Sequence, residues 1–124
     1  MAEEKYDFSW DEGNDDLWDQ KYEEWQERDW LYWLSNKLVF PFEVERKEDL
    51  YSNPFVDTSK KPFSVGHVMK AILIEDEDDD HGIIVKVREG RKTGYLPLAD
   101  LEVTSREDSN FWLVREYVVW FANR

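Results

Sequence analysis

Cysteine is absent from the chain, which excludes disulfides, thiolate nucleophiles and zinc-thiolate centres and leaves only oxygen or imidazole to hold a metal. Imidazole is scarce as well, with His67 and His81 alone. No stretch approaches the roughly 18 apolar residues of a membrane span. Bases are in deficit, 16 against 29 acids, for a formal charge of −13 that opposes extended binding to a nucleic-acid backbone or an anionic membrane. There is no G-x-S-x-G elbow, no phosphate-binding glycine loop and no H-E-x-x-H, so a protein without enzymatic activity is expected. The opening Met1-Ala2-Glu3-Glu4-Lys5 lacks the basic start and apolar stretch of a signal peptide, and a cytoplasmic location is expected.

What the chain has is aromatic surface: seven Trp, seven Phe and six Tyr in 124 residues, enough for one buried core and against disorder. Residues 1–15 are acidic and carry Gly13 and Asn14, and read as a flexible N-terminal arm. Residues 16–124 read as a single domain. From 16 to 37 there is no Gly or Pro, and Trp18, Tyr22, Trp25, Asp29 and Tyr32 recur at helical spacing, which predicts one long helix capped by Asp15 or Asp16.

Phe40, Phe42 and Val44 then alternate with partners that become polar, as in a strand with one wet face. Pro41 puts that strand at an edge or starts it at a bulge. A loop is expected over residues 47–62, strands over 67–74, 82–88 and 95–96, and a single turn over 97–101. Phe111, Val114, Val118 and Phe121 step as a C-terminal helix after the capping residues Asp108, Ser109 and Asn110. The fold class expected is α+β: a small, strongly bent antiparallel sheet of SH3-like barrel form, flanked by a long N-terminal helix and a C-terminal helix.

Six consecutive acids, Glu75-Asp76-Glu77-Asp78-Asp79-Asp80, connect the second and third expected strands. Adjacent carboxylates repel and a cation relieves the repulsion; calcium accepts six to eight oxygen ligands in irregular geometry. A solvated acidic loop that keeps a strand edge from pairing is the plainer reading. An EF-hand fails outright. With Gly82 at loop position six, Glu77 falls at position one, His81 at five and Arg88 at twelve; with Gly13 at six, Phe8 falls at one. Asp100, Glu102, Glu43 and Glu45 are further acids that a sheet could bring near the run, and His81 among carboxylates could in principle take zinc or copper, although so many oxygens favour calcium.

The segments Leu38-Val39-Phe40-Pro41-Phe42, Gly82-Ile83-Ile84-Val85-Lys86-Val87, Leu96-Pro97-Leu98-Ala99-Asp100-Leu101-Glu102 and Trp120-Phe121-Ala122-Asn123-Arg124, in that order and spacing, resemble the cyanobacterial-type calcium-binding protein family described for heterocyst-forming cyanobacteria. The resemblance covers residues 30–124 and implies a small acidic protein that binds Ca2+ reversibly without EF-hands, as a calcium buffer or signalling component. Together with the acid run it makes Asp76, Asp78, Asp80, Asp100 and Glu102 the preferred ligands, with Asp79 beside them, and the two groups of acids the facing walls of one pocket. Residues 1–29 depart from the family pattern. The rival reading is an acidic, non-catalytic interaction module for a basic protein partner. A monomer or weak homodimer is expected.

Overall fold

A computed structural model describes residues 6–47 and 61–124, so the expected loop lies almost wholly outside the described residues. A 3-10 turn at Ser9–Glu12 leads into α1 (Asp15–Glu27), which is followed by α2 (Trp30–Lys37). The cap of α1 is Asn14, whose side chain accepts from the Leu17 N–H, one residue ahead of the expected capping acids.

The long N-terminal helix is therefore two helices. Arg28 is extended and Asp29 caps α2 by accepting from the Tyr32 N–H. The break lets Trp25 and Trp30 both reach the core, and the Trp30 indole donates to the Trp25 carbonyl, which also accepts the Arg28 N–H. Trp10 is 2% exposed and packs edge-on to Trp25, and Arg115 makes a two-pronged pair with Asp11.

The five strands are β1 (Phe42–Arg46), β2 (Val68–Asp78), β3 (Gly82–Glu89), β4 (Lys92–Pro97) and β5 (Leu101–Val103), all antiparallel in the order β4-β3-β2-β1-β5. The sheet is open, with β4 and β5 as its edges, so no SH3-like barrel forms. Closure would need those two short strands to pair, whereas each pairs on one side only. Pro41 lies just before β1, outside the ladder, which is how a proline can precede a strand that is internal rather than at an edge.

One face of the sheet carries Val44, Ala71, Ile83, Val85 and Val87, all fully buried. Against it pack Trp25, Leu34 and α3 (Phe111–Asn123), which contributes Val114 and Tyr117. Asn110 fastens the start of α3 to the chain before β1. Its amide accepts from the Val39 N–H at 2.8 Å and donates to the Val39 carbonyl at 3.0 Å.

The buried carboxylate of Glu116 on α3 joins the helices. It accepts from the Trp25 indole at 2.7 Å, from Arg28 at 3.2 Å and from the Tyr6 hydroxyl, with Lys21 at 3.5 Å. Burial and the bond to Glu116 push the Tyr6 hydroxyl well above its ordinary pKa, so it stays a donor.

Candidate metal centre

The acid run is mostly strand rather than loop. Four of its six members, Glu75 to Asp78, complete β2, and the turn is Asp79, Asp80 and His81. Glu77 pairs with Ile83 and Asp78 with Gly82, so isoleucine-rich β3 recruits acids of low strand propensity into the ladder. Strand alternation then sends neighbouring acids to opposite faces, which relaxes their repulsion and prevents all six from converging on one ion. A register shift between Ile74 and Asp76 adds a local irregularity just before the tip.

Two devices hold the tip. The Asp78 carboxylate accepts from the Asp80 N–H at 2.7 Å and the His81 N–H at 3.1 Å, and these bonds, Asp80 first, hold its carboxyl below the usual range. Gly82, at φ +74°, admits α3: a Cβ there would collide with the Tyr117 hydroxyl and lie 2.6 Å from the Phe121 ring. The Tyr117 hydroxyl accepts the Ile83 N–H at 2.9 Å, and burial raises its pKa. The hairpin tip is thereby clamped to the last turns of α3.

Between tip and helices lies a cleft of about 320 Å³. Glu77, Asp78 and Asp79 line it from the hairpin, Asp29 from the break between α1 and α2, and Tyr117, Trp120 and Phe121 from α3. At about 30 Å³ per water it has room for an ion with its hydration shell. Arg28 and Arg124 also border it. Arg28 is engaged with Glu116 and Glu24 and lies 3.9 Å over the Trp33 ring; Arg124 lies 3.8 Å over Phe121.

The expected ligands divide. Asp78 and Asp79 line this cleft. Asp80 is exposed in the turn, and Asp76, also exposed, accepts the Glu77 N–H at 2.8 Å. Asp100 and Glu102 do not form the facing wall. They line a different cleft, of about 210 Å³, between β5 and α3, walled by Leu101, Val103, Phe111, Val114 and Val118 and bordered by Lys47 and Arg115. The strand ladder explains the separation: Glu102 pairs with Glu45 and Glu45 with Val68, at the opposite end of β2 from Asp78. Glu43 is likewise elsewhere, accepting from the Thr104 hydroxyl at 2.8 Å. Asp29 was not foreseen as a site residue, although a capping residue inside an aromatic stripe was its signal.

Among the described residues no group of three or more acid or histidine side chains is gathered tightly enough to hold a metal ion as it stands. The donor chemistry nonetheless fits calcium: the cleft offers carboxylates, no thiol, and open space for water ligands. Among the described residues no helix is long and apolar enough to cross a membrane.

The chain thus combines an open α+β sheet with an acidic cleft, bordered by two arginines, at one hairpin tip. It belongs to the calcium-binding family of CcbP, which matches residues 16–121. Among solved structures it is similar to that of Anabaena CcbP, with 18% identity, 98% of this chain and 96% of that chain covered, and a TM-score of 0.54, a likeness of fold. No curated protein matches.

Proposed function

We propose that the protein binds Ca2+ reversibly at the tip of the β2–β3 hairpin and serves in the cytoplasm as a calcium buffer or signalling protein. Asp78 and Asp79 are the principal ligands, Asp29 and Glu77 complete the cleft, and Asp76 and Asp80 flank it. The observation that supports this reading is that Glu77, Asp78 and Asp79 of the hairpin and Asp29 of the helix break line one open cleft, in a chain whose family is calcium-binding. Because the ligands are not gathered in advance, the ion has to draw them together against their ordering entropy, which argues for low-to-moderate affinity and rapid release.

Isothermal titration with calcium after EDTA treatment tests the reading. Asp78→Asn combined with Asp79→Asn should weaken binding at least about tenfold, with loss of charged calcium ligands as the cause. Asp100→Asn with Glu102→Gln should leave it unchanged. Calcium at about a hundred times Kd should stabilise the fold by about 2.7 kcal/mol, raising Tm more than matched magnesium does. Full binding by the hairpin double variant would refute the site, and no calcium heat in the wild-type protein would refute the function. The alternative, docking of a basic protein partner, is supported by the acidic surface that Glu23, Glu24 and Glu27 form on α1, and it predicts a complex indifferent to EDTA.

A further inference from the structure

The two arginines that border the acidic cleft differ in how their charge is met. Arg28 is neutralised by Glu116 at 3.2 Å and Glu24 at 3.4 Å. Arg124, which caps the C-terminus of α3, forms no ion pair among the described residues. It is held by a ring instead: its guanidinium lies 3.8 Å over Phe121, a cation–π contact that needs no counter-charge.

That ring is also the one that meets the hairpin tip. A Cβ on Gly82 would lie 2.6 Å from it, and Gly82 is the cross-strand partner of Asp78. Phe121 thus carries an uncompensated cation up to the acids of the cleft. Those acids are short of cations: among the described residues Asp29, Glu77 and Asp79 form no ion pair, and Asp78 meets only His81, at 3.3 Å. The Tyr117 hydroxyl senses both signs of charge. Burial raises its pKa most; beyond that and the bond from Ile83, the Glu77 charge raises it and the Arg124 charge lowers it. The plainer reading of Arg124 is a cation placed where the helix dipole favours one. Whatever its service to the helix, a charge held there competes with any other cation for the same acids.

On the basis of the calcium site proposed above, we infer that Arg124 is a resident counter-cation of the cleft: it offsets the acids when the ion is absent and lowers affinity when the ion enters. Arg124 tunes the site without being one of its ligands, and Arg28, already met by two acids, does not share the role. The magnitude follows from the size of the cleft. A sphere of 320 Å³ is about 8 Å across, and a unit charge at that distance from a divalent ion in water changes its affinity about fourfold at about 10 mM ionic strength and about twofold at about 0.15 M. Coulomb energy scales with ion charge, so the fourfold factor becomes about eightfold for a trivalent ion.

The test is calcium titration by calorimetry and terbium titration by luminescence, sensitised by Trp30 and Trp120 of the cleft wall, on the full chain after EDTA treatment. At low ionic strength Arg124→Gln should bind calcium about fourfold and terbium about eightfold more tightly than the wild type, with the calcium gain shrinking to about twofold at about 0.15 M. Arg124→Lys keeps the charge and should stay near the wild type. Arg91→Gln removes the same charge at the β3–β4 turn, the far end of β3 from Gly82, and should change affinity by less than about 1.5-fold. In EDTA, Arg124→Gln should melt no higher than the wild type, because the acids lose a counter-charge. A lower melting temperature with unchanged ion affinity would mark a capping role alone and overturn the inference, as would an equal gain from Arg91→Gln. Absence of calcium and terbium binding in wild type and variant alike would overturn the calcium site and this inference with it; calcium binding of equal strength in both would overturn this inference alone.

Discussion

Replacing Gly82 by alanine probes the clamp that holds the acidic hairpin tip against α3. The residue sits at φ +74°, where a Cβ costs about 1–2 kcal/mol from backbone crowding alone. The added methyl would also run into the Tyr117 hydroxyl and lie 2.6 Å from the Phe121 ring, which must shift; overpacking of this kind costs about 1–3 kcal/mol. The two costs together make the expected loss about 2–5 kcal/mol, a large part of the roughly 5–15 kcal/mol that holds a typical domain, and displacing Tyr117 from the Ile83 N–H would add to it.

Gly90 supplies the control. Its φ is +62° but a Cβ there meets nothing within 4 Å, so Gly90→Ala should show the backbone cost alone. Urea unfolding followed by tryptophan emission measures both variants. Tyr117→Phe removes the atom in closest conflict, and the double variant with Gly82→Ala should recover part of the loss as a coupling energy of about 0.5–3 kcal/mol. Equal destabilisation of Gly82→Ala and Gly90→Ala, with no coupling to Tyr117, would refute the clamp.

Glu116→Ala should cost about 3–5 kcal/mol in the same assay, because it strands the Trp25 indole N–H and leaves Arg28 facing a buried vacancy. Hydrogen exchange should then speed up in residues 6–14, which Glu116 helps to hold through Tyr6. Asp78→Ala gives a pH signature. The folded carboxyl lies below its unfolded value of about 3.9, so its contribution is present above that value and fades as pH falls through the lower folded one. The gap in urea midpoint between variant and wild type should therefore narrow as pH is lowered from about 6 to about 3.

Much of the fold was legible because its signals are local. Alternation through Phe42 and Val44 marked β1, and the three-and-four spacing of Phe111, Val114 and Val118 marked α3. The break in the N-terminal helix was written in Asp29 but read as part of an aromatic stripe. A cap inside a run of strong helix signals is recognisable once both neighbouring tryptophans are seen to require burial. The hub at Glu116 had no local signal, since a lone acid on an apolar helix discloses neither Trp25 nor Tyr6, far away in the chain.

The calcium reading shows the same division. Composition alone restricted metal chemistry to oxygen and imidazole, located the densest acids at residues 75–80 and ruled out an EF-hand. Tertiary structure decided which acids share a cleft: Asp29 joins Asp78 and Asp79 because the α1–α2 break lands beside the hairpin tip. Asp100 and Glu102 are excluded because antiparallel register sets them at the other end of β2. Residue type and spacing determine what chemistry a chain can offer and which elements will form. The distances between those elements follow from strand register, helix breaks and the close approach that one glycine permits, and of these only the helix break is local in the chain.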